Sequence, residues 1–369
     1  MIKNKLFLYF LFMPIFLLGQ SPIFYEHYTG LITQDLKLTA DLVRLENSFS
    51  GYYYYEFKEG PAWISSKPIA LDGQVNDKNE FVLNEFGENH SFFQGELENS
   101  KLIKGVWRNE MLENAEPFTL KATYPPGTLA LSVVEHEKQE YFNNDPQMPQ
   151  GHFHINALFP PVGLDKVIYH QLLQRIYYLM GFRGELSKNQ NIISLLQKKY
   201  FEKFQNALQN IEFHGDVNDY DWQKSIRMEV VNNESSLLCM QVETYAKTGK
   251  RPGTTVKKFL VFSLEKNKII KLQDIIKEDD ELALNALLQD KIRDHYHISK
   301  DKSLTQMGFF EDSIAPTNNF YIHPGGLGFY YNVYEIAPFS NGSTDLFIPW
   351  QQLQGIVNEE SVLYLFLDE

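Results

Sequence analysis

Two histidine pairs carry the spacing closest to chemistry. His152 and His154 in GHFHIN stand at i and i+2, so a strand puts both imidazoles on one face, and two nitrogens are half of a tetrahedral zinc site. His295 and His297 in DHYHIS repeat the spacing near the end of a helical pattern, where residues two apart do not face each other. Neither pair has a third ligand at recognisable spacing, so partly exposed edge histidines are the expectation and no metal site is assigned. VEHEKQEY starts as a His-Glu-x-x-His zinc helix would, at His136 and Glu137, but has Glu140 where the second histidine must stand. There is no Gly-x-Ser-x-Gly elbow, no phosphate loop and no dinucleotide fingerprint. GGLG at 325–328 lies between two strand patterns with no helix after it, so it is a hairpin feature. Glu335 sits between Tyr334 and Ile336, with His323 the nearest candidate partner for acid–base work; a carboxylate bonded to backbone or hydroxyls, fixing the bend at Ala337 and Pro338, is the preferred reading. Cys239 is the single cysteine, placed by alternation in a strand as a buried, inert thiol. No catalytic constellation and no cofactor follow, and the chain is expected not to be an enzyme.

The elements that would position these residues fall into three parts after a leader. Residues 21–122 read as an all-β meander: GYYYYEF, KPIALDGQV, EFVLNEF, HSFFQGELE and KLIKGVWRN alternate and are broken by Gly, Asp or Asn. Gly73, Gly95 and Gly105 recur at corresponding places and suggest bulges or tight bends. Trp63 and Trp107 suit core packing better than sugar stacking. Residues 123–255 mix strands with two helices, one through Leu172 and Ile176 and stopped by Gly181, the other through Leu196, Tyr200 and Phe204. SIRMEVVNN and LLCMQVETYA form a hairpin across Asn232, Asn233 and Glu234. Residues 256–369 hold a hairpin at Lys266-Asn267, a helix from Asp280 to about Tyr296, and strands FYIH and LGFYYN joined at Pro324-Gly325-Gly326. TDLFIPW follows as a further strand, Pro349 starts a short helix, and SVLYLFL closes the sheet. The expected fold class is α+β: an N-terminal all-β meander, then a mixed region of antiparallel sheet with packed helices.

Residues 1–20 have the layout of a secretory signal peptide: Lys3 and Lys5, an apolar run over 6–18, then Gly19-Gln20-Ser21. That run covers roughly 20 Å as a helix against a hydrocarbon core of about 30 Å. An exported protein, periplasmic or extracellular, with no stable membrane span after cleavage is expected; a retained anchor is the alternative. The formal net charge of −13 excludes the basic footprint of a nucleic-acid binder. It becomes more negative once Lys3 and Lys5 leave with the leader, and suits a cationic partner.

The stretch NFYIHPGGLGFYYNVYEIAPFSNGSTDLFIPWQQL, 319–353, with YEIAP four residues before Gly342 and then FIPW, resembles the C-terminal domain of the RsiV-type family. That domain is found in ectodomains of lysozyme-sensing anti-sigma factors and beside the catalytic domain of some peptidoglycan deacetylases. ETYAKTGKRPGTTVKKFLVFSLEKNKIIKLQDII resembles its upstream part, with Thr248-Gly249-Lys250-Arg251-Pro252-Gly253 in place of the usual Thr-Gly-Gly-Ala-His-Gly loop. The β-rich N-terminal part is similar to segments joined to this domain in Bacteroidetes-type proteins. The resemblance implies recognition of an extracytoplasmic protein, lysozyme-like in some relatives, or of a peptidoglycan-type glycan. A hydrolase or deacetylase accessory acting on envelope polysaccharide is the alternative. The resemblance and the aromatic density beside turns make Tyr334, Glu335, Pro338 and Phe339 the candidate partner-binding residues.

Overall fold

The computed structural model describes residues 23–86, 91–108, 115–187, 190–359 and 361. The leader and all but the first residue of SVLYLFL lie outside them.

Nine strands form the first unit: β1 (Phe24–Thr33), β2 (Leu36–Leu45), β3 (Ser48–Glu59), β4 (Ala62–Ser65), β5 (Ile69–Val75), β6 (Glu80–Glu85), β7 (Phe92–Asn99), β8 (Leu102–Arg108) and β9 (Glu116–Ala122). Their order is β2-β1-β9-β8-β7-β6-β5-β3, and β2 also pairs with β3, so eight strands close into a barrel with β4 as a ribbon on the far half of β3. Closure removes the open edges that a meander would leave.

The recurring glycines make this barrel possible. Gly73 faces Phe49 across the ladder, Gly95 faces Phe81, and Gly105 faces Phe118. All three phenylalanines are buried. Each glycine stands at an inward position in continuous register, and none is a bulge. The missing side chain is replaced by the neighbouring ring, and the rings meet edge-on, Phe49 and Phe81 at 5.7 Å and Phe93 and Phe118 at 5.3 Å. The interior keeps about 10 Å³ of free space, room for about one water.

The second unit is a six-stranded sheet: β10 (Ser132–Tyr141), β11 (Gln150–Phe159), β12 (Trp222–Glu234), β13 (Leu237–Thr248), β14 (Thr254–Ser263) and β15 (Lys268–Ile269), in sequence order. Only β11 and β12 are parallel, and the chain crosses between them through α1 (Lys166–Leu179) and α2 (Ile192–Leu208). Asp165 caps α1 by accepting from the Val167 and Ile168 N–H groups, and Asn191 caps α2 by accepting from Ser194 N–H. Leu172, Ile176, Leu196 and Phe204 pack on the face that carries Phe153, Ile155, Met228 and Met240.

The third unit covers the other face of β12–β14. It consists of α3 (Glu281–His295), a three-stranded sheet β16 (Phe320–His323), β17 (Gly326–Tyr331) and β18 (Thr344–Pro349), and the short α4 (Trp350–Leu353). Every residue of β17 is buried. Gly325, at the β16–β17 turn, lets the hairpin tip meet the barrel: a Cβ there would lie 2.4 Å from the Ser66 carbonyl oxygen.

The protein is therefore mostly β, with 45% of the described residues in strands and 21% in helices, and not a balanced α+β chain with packed helices. Alternation reveals β3 and β5 to β8, but β1, β2, β4 and β9 were not identified, and the pairing of β1 with β9 that closes the barrel is not marked by local pattern. The β12–β13 turn also moves. It falls at Ser235 and Ser236, both left-handed with φ of 53° and 61°, and Asn232 and Asn233 stay inside the strand. Buried Asn233 donates to the Tyr25 hydroxyl at 2.7 Å and the Leu129 carbonyl at 2.8 Å, and accepts from Leu129 N–H at 2.9 Å. Those tertiary bonds outweigh the turn preference of asparagine. Among the described residues no helix is long and apolar enough to cross a membrane.

At Gly105 a Cβ would lie 2.1 Å from the Gln94 carbonyl oxygen and 2.7 Å from the Gly95 Cα. Gly105→Ala is expected to lower stability by roughly 1–3 kcal/mol in denaturant titration, since backbone must shift. An unchanged midpoint would show that the barrel wall yields freely.

Candidate functional site

The β14 strand pairs fully with β13, but β15 covers only its last residues, Phe262 and Ser263. The rest of its outer edge needs partners. Two asparagines supply them. Asn319 accepts from Phe259 N–H at 3.0 Å and donates to the carbonyls of Lys257 and Tyr330, both at 3.0 Å. Asn332 accepts from Lys257 N–H at 2.7 Å and donates to the Lys257 carbonyl at 3.1 Å. These amides act as strand residues and fasten the third unit to the sheet.

The predicted site residues leave this anchor as a knuckle. Glu335 accepts from Asn332 N–H at 3.0 Å and from its side-chain amide at 3.3 Å, while Glu335 N–H donates to the Asn332 carbonyl at 3.1 Å. Tyr334 lies at the apex with φ of +66°, a strained conformation for a bulky residue, and is 65% exposed. Pro338 opens a short 3₁₀ turn, Phe339–Asn341, that ends at left-handed Gly342. Phe339 is 47% exposed, and its ring lies 5.7 Å from that of Tyr334. Phe310, also exposed, joins them because its N–H donates to the Ile336 carbonyl at 3.0 Å, and exposed Met307 precedes it in the same loop. Sequence reading missed Phe310 and Met307, which lie 24 or more residues upstream of the knuckle in a loop without a pattern. Glu335 has no bond to His323. That histidine is buried at the opposite end of β16, packed edge-on against Tyr54 at 4.6 Å and accepting from Gly325 N–H at 3.2 Å.

The cluster most like catalytic machinery is buried where the barrel meets β12. His27 Nδ1 is 2.9 Å from Asp41 and its Nε2 3.8 Å from Glu234. Tyr25 donates to Asp41 at 2.5 Å, and Tyr54 donates to Glu234. His27 is 0% exposed and Asp41 4%, so no substrate reaches them and the cluster joins the barrel to the sheet. It was invisible in sequence because its members span residues 25–234; the signal was His27 and Asp41, polar residues on the outer faces of barrel strands whose inner faces carry Tyr28 and Leu42. Burial is the largest influence on His27 and disfavours its charge, but the charge and hydrogen bond of Asp41, with Glu234, leave its pKa raised. Glu234 is also raised, chiefly by burial. His323 runs the other way, held down to about 3 by burial.

The first histidine pair faces carboxylates. His152 is 2.6 Å from Glu137 and His154 3.0 Å from Glu135, a ladder on the sheet face opposite α1 and α2. His295 and His297 are exposed. Among the described residues no group of three or more His, Cys, Asp or Glu is placed to hold a metal ion. Cys239 is buried, and burial pushes its thiol up to about 12. The face of Trp63 is taken by Lys37, 3.8 Å from the ring centre, and Trp107 donates to Glu85 at 2.9 Å.

Because the folded pKa of His27 is raised, its contribution to stability is fully present below its ordinary pKa of about 6.5 and is lost as pH rises through the folded value. His27→Gln should cost roughly 3 kcal/mol below that pH and less on the alkaline side. Denaturant midpoints of both proteins across pH test this; a pH-independent difference contradicts it.

Residues 273–351, which include α3, the three-stranded sheet and the knuckle, match the family described as "Protein of unknown function (DUF3298)". The crystal structure of a DUF3298 family member from Bacteroides fragilis is similar, with a TM-score of 0.57 and 22% identity over 65% of this chain and 98% of that one. A DUF3298 family protein from Pseudomonas aeruginosa matches at a TM-score of 0.46 and 19% identity, over 63% of this chain and 95% of that one. None of the curated proteins compared matches the chain. The chain thus carries a DUF3298 domain at residues 273–351 and shares the fold of the Bacteroides fragilis protein over the region covered.

Proposed function

We propose that the chain is an exported, non-catalytic binding protein of the bacterial envelope, and that its knuckle recognises an extracytoplasmic protein. The observation that carries this reading is the exposed pair Tyr334 and Phe339, held 5.7 Å apart by a strained and well-bonded turn and extended by Phe310. Rigid aromatics give large contact area at low entropic cost, and Pro338 and the Asn332–Glu335 bonds reduce the ordering that binding would otherwise require. An exposed tyrosine in a left-handed conformation is a strain that folding alone gives no reason to keep. Glu311 and Asp312 follow Phe310 in the chain, Glu335 follows Tyr334, and the net charge is −13, so a cationic partner fits. The RsiV-like resemblance of 319–353 supports a lysozyme-like protein as that partner. The pattern of residues 1–20 supports export.

Two substitutions separate recognition from stability. Phe339→Ala should weaken binding to a lysozyme by roughly 1–3 kcal/mol and leave the melting temperature unchanged. Tyr334→Gly should relieve strain, stabilising the chain by roughly 1 kcal/mol, while also weakening binding. Calorimetric titration with parallel thermal melts decides. Early melting of Phe339→Ala with normal binding by the folded fraction would place Phe339 in the core and remove it from the surface.

A further inference from the structure

The barrel carries a groove of about 1070 Å³ on the outer face of β5–β8, lined by Gln74, Val82, Gln94, Glu96, Lys104 and Val106 among others. Its origin is in the sequence. Gly95 and Gly105 face each other at inward positions, with the Gly105 Cα 2.8 Å from where a Gly95 Cβ would stand. Without side chains to prop this wall off the core it lies close on Phe81 and Phe118, their cross-strand partners. The groove lies on the outer face above this wall.

Two cross-strand rows line the concavity. One runs Gln74, Val82, Gln94, Val106, alternating amide and apolar side chain over four strands. The other runs Glu80, Glu96, Lys104. Glu80 is bonded to Asn76 at 2.7 Å and Lys104 is paired with Glu98. Among the described residues, the side chains of Gln74, Gln94 and Glu96 make no hydrogen bond. We propose that this groove is a carbohydrate site for a neutral or amino-bearing oligosaccharide.

Each primary amide offers two donors and an acceptor, a match for adjacent hydroxyls, and the valines between them give C–H faces an apolar rest. Strands stand about 4.8 Å apart, so the four-residue row extends for about 14 Å, the reach of a short oligosaccharide rather than one sugar. A peptide is disfavoured, because β5, β6, β7 and β8 are each paired on both sides and have no free edge for strand addition. Acidic glycans are disfavoured too: Asp77, Glu80, Glu96 and Glu98 face only Lys104 and Arg108. The groove lies on a different sheet from the knuckle, and the proposal does not depend on the protein-binding reading.

The test is calorimetric titration of the purified chain with maltotriose, chitotriose, its N-acetylated form and a uronic-acid trisaccharide as separate arms. Saturable binding of a non-acidic sugar is expected, with affinity falling about tenfold or more in Gln74→Ala/Gln94→Ala, whose exposed substitutions leave the melting temperature unchanged. A preference for chitotriose that Glu96→Gln removes would identify the amino-bearing class. No saturation by any sugar at millimolar concentration, preference for the uronic acid, or binding unaltered in the double variant and in Glu96→Lys would each overturn the proposal.

Discussion

The outer edge of β14 is the constraint on which the rest of the C-terminal architecture depends. Its N–H and C=O groups are directed away from β13, and β15 is too short to reach them. A buried edge with unpaired groups costs about 1–3 kcal/mol for each one. Asn319 and Asn332 satisfy that edge, so they also fix where β16–β18 lie and where the chain must leave β17. The knuckle follows directly, because the Glu335 carboxylate closes on the same Asn332 that is bonded to β14. One residue thus links sheet edge, turn and exposed aromatic pair.

Polar groups join the barrel to this body beside the apolar contacts of Tyr25 and Val43. Asp41, His27 and Asn233 form the buried part of the junction with half-buried Glu234 beside them, and Arg227 extends it outward by bonding Asp72 of the barrel at 2.9 Å and pairing with Glu229 at 2.7 Å. Tyr52 adds a bond to Gln241 at 2.6 Å. Breaking a buried ionic junction is costly, whereas an apolar contact would let two surfaces slide. The geometry therefore sets the orientation of the barrel, and with it the direction in which the groove on β5–β8 faces.

Much of this was legible in the sequence, for reasons that individual residues make plain. Alternation exposed the strands around Tyr53, Leu83 and Leu260 because each buries one face, and the spacing of Leu284, Leu288 and Ile292 exposed α3. The strand–turn–strand reading of FYIHPGGLGFYYN, and the aromatic turn after it, came from proline and glycine chemistry that acts over a few residues. Long-range partners were not legible. Nothing near Gly105 announces Phe118 as its cover, and nothing near Asn233 announces Tyr25, so closure of the barrel, the predominance of β structure and the true β12–β13 turn were missed. Glu335 was recognised as a bonded carboxylate, but its anchor on Asn332, and through it on β14, needed the fold.

The knuckle is proposed to be a preorganised protein-binding surface. Hydrogen–deuterium exchange of the chain with and without a bound lysozyme tests it most directly. New protection is expected to be confined to residues 334–341 and 305–310, with the β14 amides that bond Asn319 and Asn332 already slow in the free protein. Protection located on the barrel or on the helices, with 334–341 unchanged at saturation, would contradict it.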